Sequence, residues 1–175
     1  MIRLGSPHRQ PARPGDVVDA LLDCHARIRD FVALALRLAS ASGLAAAEAQ
    51  QAAGDVRRYF EVALPLHAAD EEASILPRLR GLDPAVDAEL DHMRREHAEH
   101  ERAVGRLVAA CRAIQERPDE LGRAAPALAE AARELDGQFA AHLDREERVI
   151  FPAIRTRLDR EAQEAIRAEM RARRA

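Results

Sequence analysis

The chain has no lysine among its 27 basic residues, which removes the side chain that Walker-type phosphate loops and Schiff-base chemistry require. Aromatic residues are scarce as well, 3% of the sequence against 47% hydrophobic overall. Much of the apolar content is Ala and Leu, which are strong helix formers. Strand patterning is missing: no stretch alternates apolar and polar residues as a half-buried strand does, so the chain reads as all-α. There are only two cysteines, Cys24 and Cys111, far apart and without paired spacing. That argues against a disulfide framework and fits reduced thiols in a cytoplasmic protein. No window is apolar enough to span a membrane, and Met1 to Gly15, rich in Pro and Arg, lacks the apolar run of a secretory signal. A formal net charge of −3 gives no reason to expect nucleic acid as a partner.

What is present is helical patterning over 175 residues, enough for one domain with a real hydrophobic core. Residues 1–15 read as a disordered arm, and Asp16, after Pro14 and Gly15, is a plausible N-cap. A first helix is expected over 17–39, with Leu21, His25, Ile28, Val32, Ala35 and Leu36 as its inner stripe. A second spans 45–79, and Pro65 should bend or interrupt it just before His67. Asp83 and Pro84 open a third that runs to 115, and a fourth is expected over 126–157. Asp159 caps a short, strongly charged helix over 160–173. Four long helices with short connections predict an antiparallel up-and-down four-helix bundle over 16–158, with a short C-terminal helix in 159–175.

An internal repeat carries the chemistry. His67, Glu71, Glu72, Ile75 and Pro77 recur at an offset of 75 residues as His142, Glu146, Glu147, Ile150 and Pro152. His67 and Glu71 are four apart, as are His142 and Glu146, so each pair lies on one helical face. Phe60, Leu64 and Ile75 turn the first face inward, and Phe139 and Ile150 the second. A buried carboxylate beside a buried imidazole is costly unless it is paired or bound to a cation. Two such pairs aimed at one core suggest a metal, and imidazole with carboxylate suits iron, manganese or zinc. Each helix pair also brings an upstream histidine. In the first it is His25. In the second, the strict offset lands on His100, whereas the local likeness of the segments favours His97.

The remaining polar residues have plainer readings. His92 reads as surface and Tyr59 as core. Glu72 and Glu147 read as outer or surface partners, and Asp70 and Asp144 as solvated. Cys24 points away from its neighbour His25. Arg167, Arg171, Arg173 and Arg174 read as a solvated charged face, and His8 has no inferred role.

Taken together, Cys24-His25, His67 with Glu71, Glu96-His97, and His142 with Glu146 resemble the motif of the hemerythrin-like, or HHE cation-binding, family over about residues 16–157. The resemblance implies an antiparallel four-helix bundle enclosing two non-haem irons bridged by carboxylates and an oxo or hydroxo species. It makes His25, His67, His97 and His142 terminal ligands and Glu71 and Glu146 the bridging carboxylates. It selects His97 over His100 through the segment Arg95 to Ala98. One departure stands out: the oxygen carriers of the family have a second histidine one turn before the third-helix ligand, where this chain has Met93. An open position there could admit water, nitric oxide, peroxide or a nearby carboxylate. The expected role is binding or sensing of oxygen, nitric oxide or peroxide, by a ligand-binding protein more than a dedicated enzyme. Iron donation, iron–sulfur cluster repair or stress-protective oxidoreduction is an alternative that the short arm without cysteine disfavours. An interaction bundle with a purely structural metal is another.

Overall fold

The computed structural model describes residues 15–175, so the expected arm lies, apart from Gly15, outside the described residues. Among those described there is no strand, and the chain forms five helices. These are α1 (Val17–Ser40), α2 (46–79), α3 (Pro84–Glu116), α4 (121–157) and α5 (Arg160–Ala172), with a 3₁₀ turn at Pro118–Glu120. None is long and apolar enough to cross a membrane.

Local chemistry sets the ends. Asp16 and Asp19 cap α1 reciprocally: the amide of Asp19 donates to the Asp16 side chain at 2.9 Å, and that of Asp16 to the Asp19 side chain at 3.0 Å. Asp83 accepts from the amide of Ala85 at 2.9 Å, and Asp159 from that of Ala162 at 2.8 Å. Gly43 and Gly81 follow α1 and α2 with φ of 68° and 82°, a region costly for residues with a Cβ. Helix α4 starts at Leu121, five residues before the expected Pro126, because the 3₁₀ turn feeds straight into it. Pro126 lies inside α4, past its first turn, and removes one backbone donor there without ending the helix.

Pro65 does not break α2. The turn ahead of it, Tyr59–Ala63, widens into a π-turn closed by the amide of Leu64 on the Tyr59 carbonyl. The same happens twice more: Leu76 bonds to Glu71 across Glu71–Ile75, and Phe151 to Glu146 across Glu146–Ile150. In all three cases the donor immediately precedes a proline, Pro65, Pro77 or Pro152. A proline ring collides with the carbonyl one turn back, and widening that turn relieves the collision while the chain stays helical.

The described residues pack as two compact units. One comprises Arg27–Leu64 with Glu99–Phe139. It buries Ile28, Val32, Leu38, Val56, Leu107 and Leu128, and stacks Phe31 on Tyr59 with ring centroids 4.1 Å apart. Cys111 is part of this core, where burial pushes its thiol up to about 12. The other comprises 15–26, Pro65–Ala98 and Ala140–Ala175. Its core gathers Leu21, Ile75, Leu79, Leu90, Met93 and Ile154, together with Ile166 and Met170 of α5. Burial of side chains this size is worth about 1.5–3 kcal/mol each, so α5 is part of this unit's core.

Candidate metal centre

The second unit contains all six residues singled out above. Helix α1 contributes His25, α2 contributes His67 and Glu71, α3 contributes His97, and α4 contributes His142 and Glu146. Within the repeated pairs, His67 Nε2 lies 3.2 Å from Glu71 Oε1 and His142 Nε2 lies 3.3 Å from Glu146 Oε1. The upstream histidines cross over: His25 Nε2 is 3.2 Å from Glu146 Oε2 and 3.9 Å from Glu71 Oε1, while His97 Nε2 is 3.3 Å from Glu71 Oε2. Among the described residues, two groups can each hold a metal ion: His25, His67, Glu71 and Glu146, and Glu71, His97, His142 and Glu146. Both groups use the same two glutamates, and in each the donor atoms lie within 4.8 Å of one another.

The donors are buried, His97 less completely than the rest, and several make no hydrogen bond. Both oxygens of Glu71, both of Glu146, and the Nε2 atoms of His25 and His67 make no hydrogen bond. Such atoms are expensive to bury bare, and a cation is the group that satisfies imidazole and carboxylate together. Electrostatics point the same way. Burial disfavours the charged imidazoles of His25 and His97, yet the carboxylates facing them outweigh it and lift both to about 9. Burial pushes His67 down to about 4. Burial also opposes ionisation of Glu71, but the imidazoles of His67, His25 and His97 hold it well below the usual carboxylate range. Glu146 is raised, by burial and then by the charge of Glu71. A cation must displace the protons on His25 and His97, so affinity is expected to rise with pH and level off above about 9. Calorimetric titration with zinc near neutral pH, in buffers of different ionisation enthalpy, should register proton release. A binding heat independent of buffer would show that both imidazoles are already neutral.

An outer ring of carboxylates orients the histidines. His25 Nδ1 donates to Glu147 at 2.9 Å, His97 Nδ1 to Glu72 at 2.8 Å, and His142 Nδ1 to Glu96 at 2.9 Å. A proton on Nδ1 leaves the Nε2 lone pair for a metal, and such partners raise ligand basicity. Glu72 and Glu147, repeated in sequence, thus repeat in role, each reaching the upstream histidine of the other helix pair. Arg145 in turn pairs with Glu96. Phe151 packs on His25, ring centroids 4.8 Å apart. Sequence reasoning missed Glu96 as a partner of His142, although it stands inside the Glu96-His97 motif, and it missed Arg145 altogether.

Other residues fall elsewhere. His100 is buried against Phe139, centroids 4.8 Å apart, and belongs to neither group. His92 is half exposed, 3.6 Å from Glu96. Met93 is buried in the apolar core. Asp144 is exposed and pairs with Arg148. Cys24 is half-buried with the Arg174 guanidinium beside it. His8 lies outside the described residues. Two expectations are overturned. Asp70 is not solvated but fully buried, and Arg173 and Arg174 are not a free charged face, because both hold that aspartate.

No curated protein matches the chain. A family model does: the hemerythrin HHE cation-binding domain, over residues 16–124, more than half of the sequence. The match takes in His25, His67, Glu71 and His97, and it ends before the second copy of the repeat. With a buried histidine and glutamate cluster that fits a metal ion, the chain belongs to the hemerythrin HHE cation-binding family.

Proposed function

We propose that the chain holds two iron ions in a carboxylate-bridged, non-haem centre and binds a small ligand there: oxygen, nitric oxide or peroxide. The observation that carries this reading is the division of donors into two groups of four that share Glu71 and Glu146. In it, His25 and His67 serve one cation, His97 and His142 the other, and the two glutamates serve both. Imidazoles with a carboxylate and positions to spare are the donor pattern of non-haem ferrous sites. Iron held there would supply a Lewis-acidic, redox-active surface for the ligand.

The chain's own part is orientation and exclusion of water. The Nδ1–H bonds of His25, His97 and His142 fix three rings, and Phe151 covers His25. Met93 offers no further imidazole one turn before His97, which favours sensing or reaction over simple reversible carriage. The reading brings with it the antiparallel up-and-down order of α1 to α4 and a cytoplasmic setting for Cys24 and Cys111, which form no disulfide.

Anaerobic loading with ferrous iron is expected to give two irons per chain. Exposure to air should then produce near-ultraviolet charge-transfer absorption that shifts on addition of azide or nitric oxide. A loaded protein whose spectrum ignores both ligands would have a closed, structural metal site, and a chain that retains no iron would overturn the reading.

A further inference from the structure

Helix α5 ends on a buried carboxylate outside the metal cluster. Asp70 is 0% exposed, directly precedes Glu71, and opens the π-turn Glu71–Ile75. Each of its oxygens is taken by a different arginine from the end of the chain: Arg173 Nη1 donates to Oδ1 at 2.8 Å and Arg174 Nη2 to Oδ2 at 2.6 Å. Arg173 Nη2 also donates to the Ser74 hydroxyl at 2.7 Å, inside the same π-turn. A second tie runs through Arg78, which donates to the Ser74 carbonyl at 2.8 Å and pairs with Glu169 of α5 at 2.7 Å. Ile166 and Met170 anchor the helix in the core that also holds Ile75 and Leu79. The end of the chain therefore grips the π-turn by the residue just before it, by Ser74 inside it and by its apolar side.

The second copy of the repeat has a counterpart. Arg145 stands at the place of Asp70, one residue before Glu146, and is held by Glu96 and by Glu89, the latter at 3.2 Å. Each glutamate shared by the two donor groups thus begins a π-turn whose preceding residue is charged and pinned from another helix or from the chain end. For Glu146 the pin comes from α3, and for Glu71 it comes from Arg173 and Arg174.

We propose that α5 and the two arginines behind it are a clasp that positions Glu71, so that cation binding depends on the docked chain end. The proposal rests on the reading of Glu71 as a metal ligand. Its physical basis is that a buried carboxylate stripped of its guanidinium partners is driven toward water. The π-turn that Glu71 begins is closed by the bond from the Leu76 amide to the Glu71 carbonyl, so the placement of Glu71 depends on what holds the turn's start. Releasing Asp70 therefore shifts the residue next to it. Arg173 and Arg174 are positioning residues, acting on the cation only through Asp70 and Glu71.

The test compares the parent with R173A/R174A, and with the same double variant carrying D70N, in which no buried charge needs a partner. Hydrogen exchange is followed over 71–76 in the metal-free protein, where the Leu76 amide reports the bond to the Glu71 carbonyl, and cobalt(II) titration gives affinity. The double variant is expected to exchange faster over 71–76 than the parent, with residues 28–56 unchanged, and to bind cobalt about 10-fold or more weakly. Adding D70N should restore most of both. If the double alanine chain folds poorly, R174A against R174K carries the same comparison, since an ammonium can still reach the Asp70 carboxylate. Unchanged exchange and affinity in the double variant would overturn the clasp. So would losses spread evenly over the molecule that D70N does not repair. A parent that binds no cobalt would sink the metal reading instead, while exchange over 71–76 would still decide whether the chain end holds the turn.

Discussion

Glu71→Ala is expected to abolish retention of both cations while leaving helicity almost unchanged, and Glu146→Ala to do the same. The reason is the shared geometry. Glu71 Oε1 faces His67 at 3.2 Å, and its Oε2 faces His97 at 3.3 Å. Glu146 likewise divides its oxygens between His25 at 3.2 Å and His142 at 3.3 Å. Removing either carboxylate therefore strips a donor from both groups at once. Loss of a partner behind a ligand costs about 10–100-fold in metal affinity, so loss of a shared ligand should cost well over about 100-fold at each position. The metal-free fold should lose some stability, because buried imidazoles that the carboxylate holds protonated lose their partner, but its helices should remain. Elemental analysis after gel filtration, with far-ultraviolet circular dichroism alongside, measures both quantities. Full metal content in the double variant would end the assignment of these glutamates.

His97→Ala should behave quite differently from His100→Ala. His97 Nε2 faces Glu71, and its Nδ1 is tied to Glu72, so its removal takes an imidazole from one donor group and leaves Glu71 one partner short. About a 100-fold or larger loss of affinity for one of two cations is expected, seen as a titration that stops at a single equivalent. His100 sits against Phe139, and its loss removes a packed ring without touching either group. That should cost about 2–4 kcal/mol of stability with metal stoichiometry retained. Denaturant titration of the metal-free protein and cobalt titration of the folded one separate the two effects. If His100→Ala strips a cation and His97→Ala does not, the donor set on α3 is one turn out.

That contrast also marks where sequence stops. Val86, Leu90, Met93, His97, His100, Ala103 and Leu107 follow one another at helical spacing along α3. Periodicity puts both histidines on the buried stripe, and the offset of the repeat favoured His100, which belongs to neither donor group. The two differ by three residues, about 4.5 Å of axial rise. Which of them stands level with Glu71 is a matter of how far α3 is slid along its neighbours, and only the packing of that stripe sets it.

The helices, their aspartate caps and the paired histidine–glutamate motifs were legible because each depends on residues within a turn or two of one another. The sharing of Glu71 and Glu146 between two groups was legible only through the family resemblance and not from periodicity or spacing, since it joins side chains from four helices. Nor were the π-turns: the repeated prolines were visible, but whether a helix breaks, bends or widens there depends on what its flanks are packed against. Glu96 meets His142 across a separation of 46 residues, and Arg173 reaches Asp70 across 103. By composition Asp70 belongs in water, and by position it is buried. What allows that is a pair of guanidinium groups delivered from the far end of the chain, because a charge leaves solvent only where an opposite charge meets it, and that meeting is fixed by the tertiary fold alone.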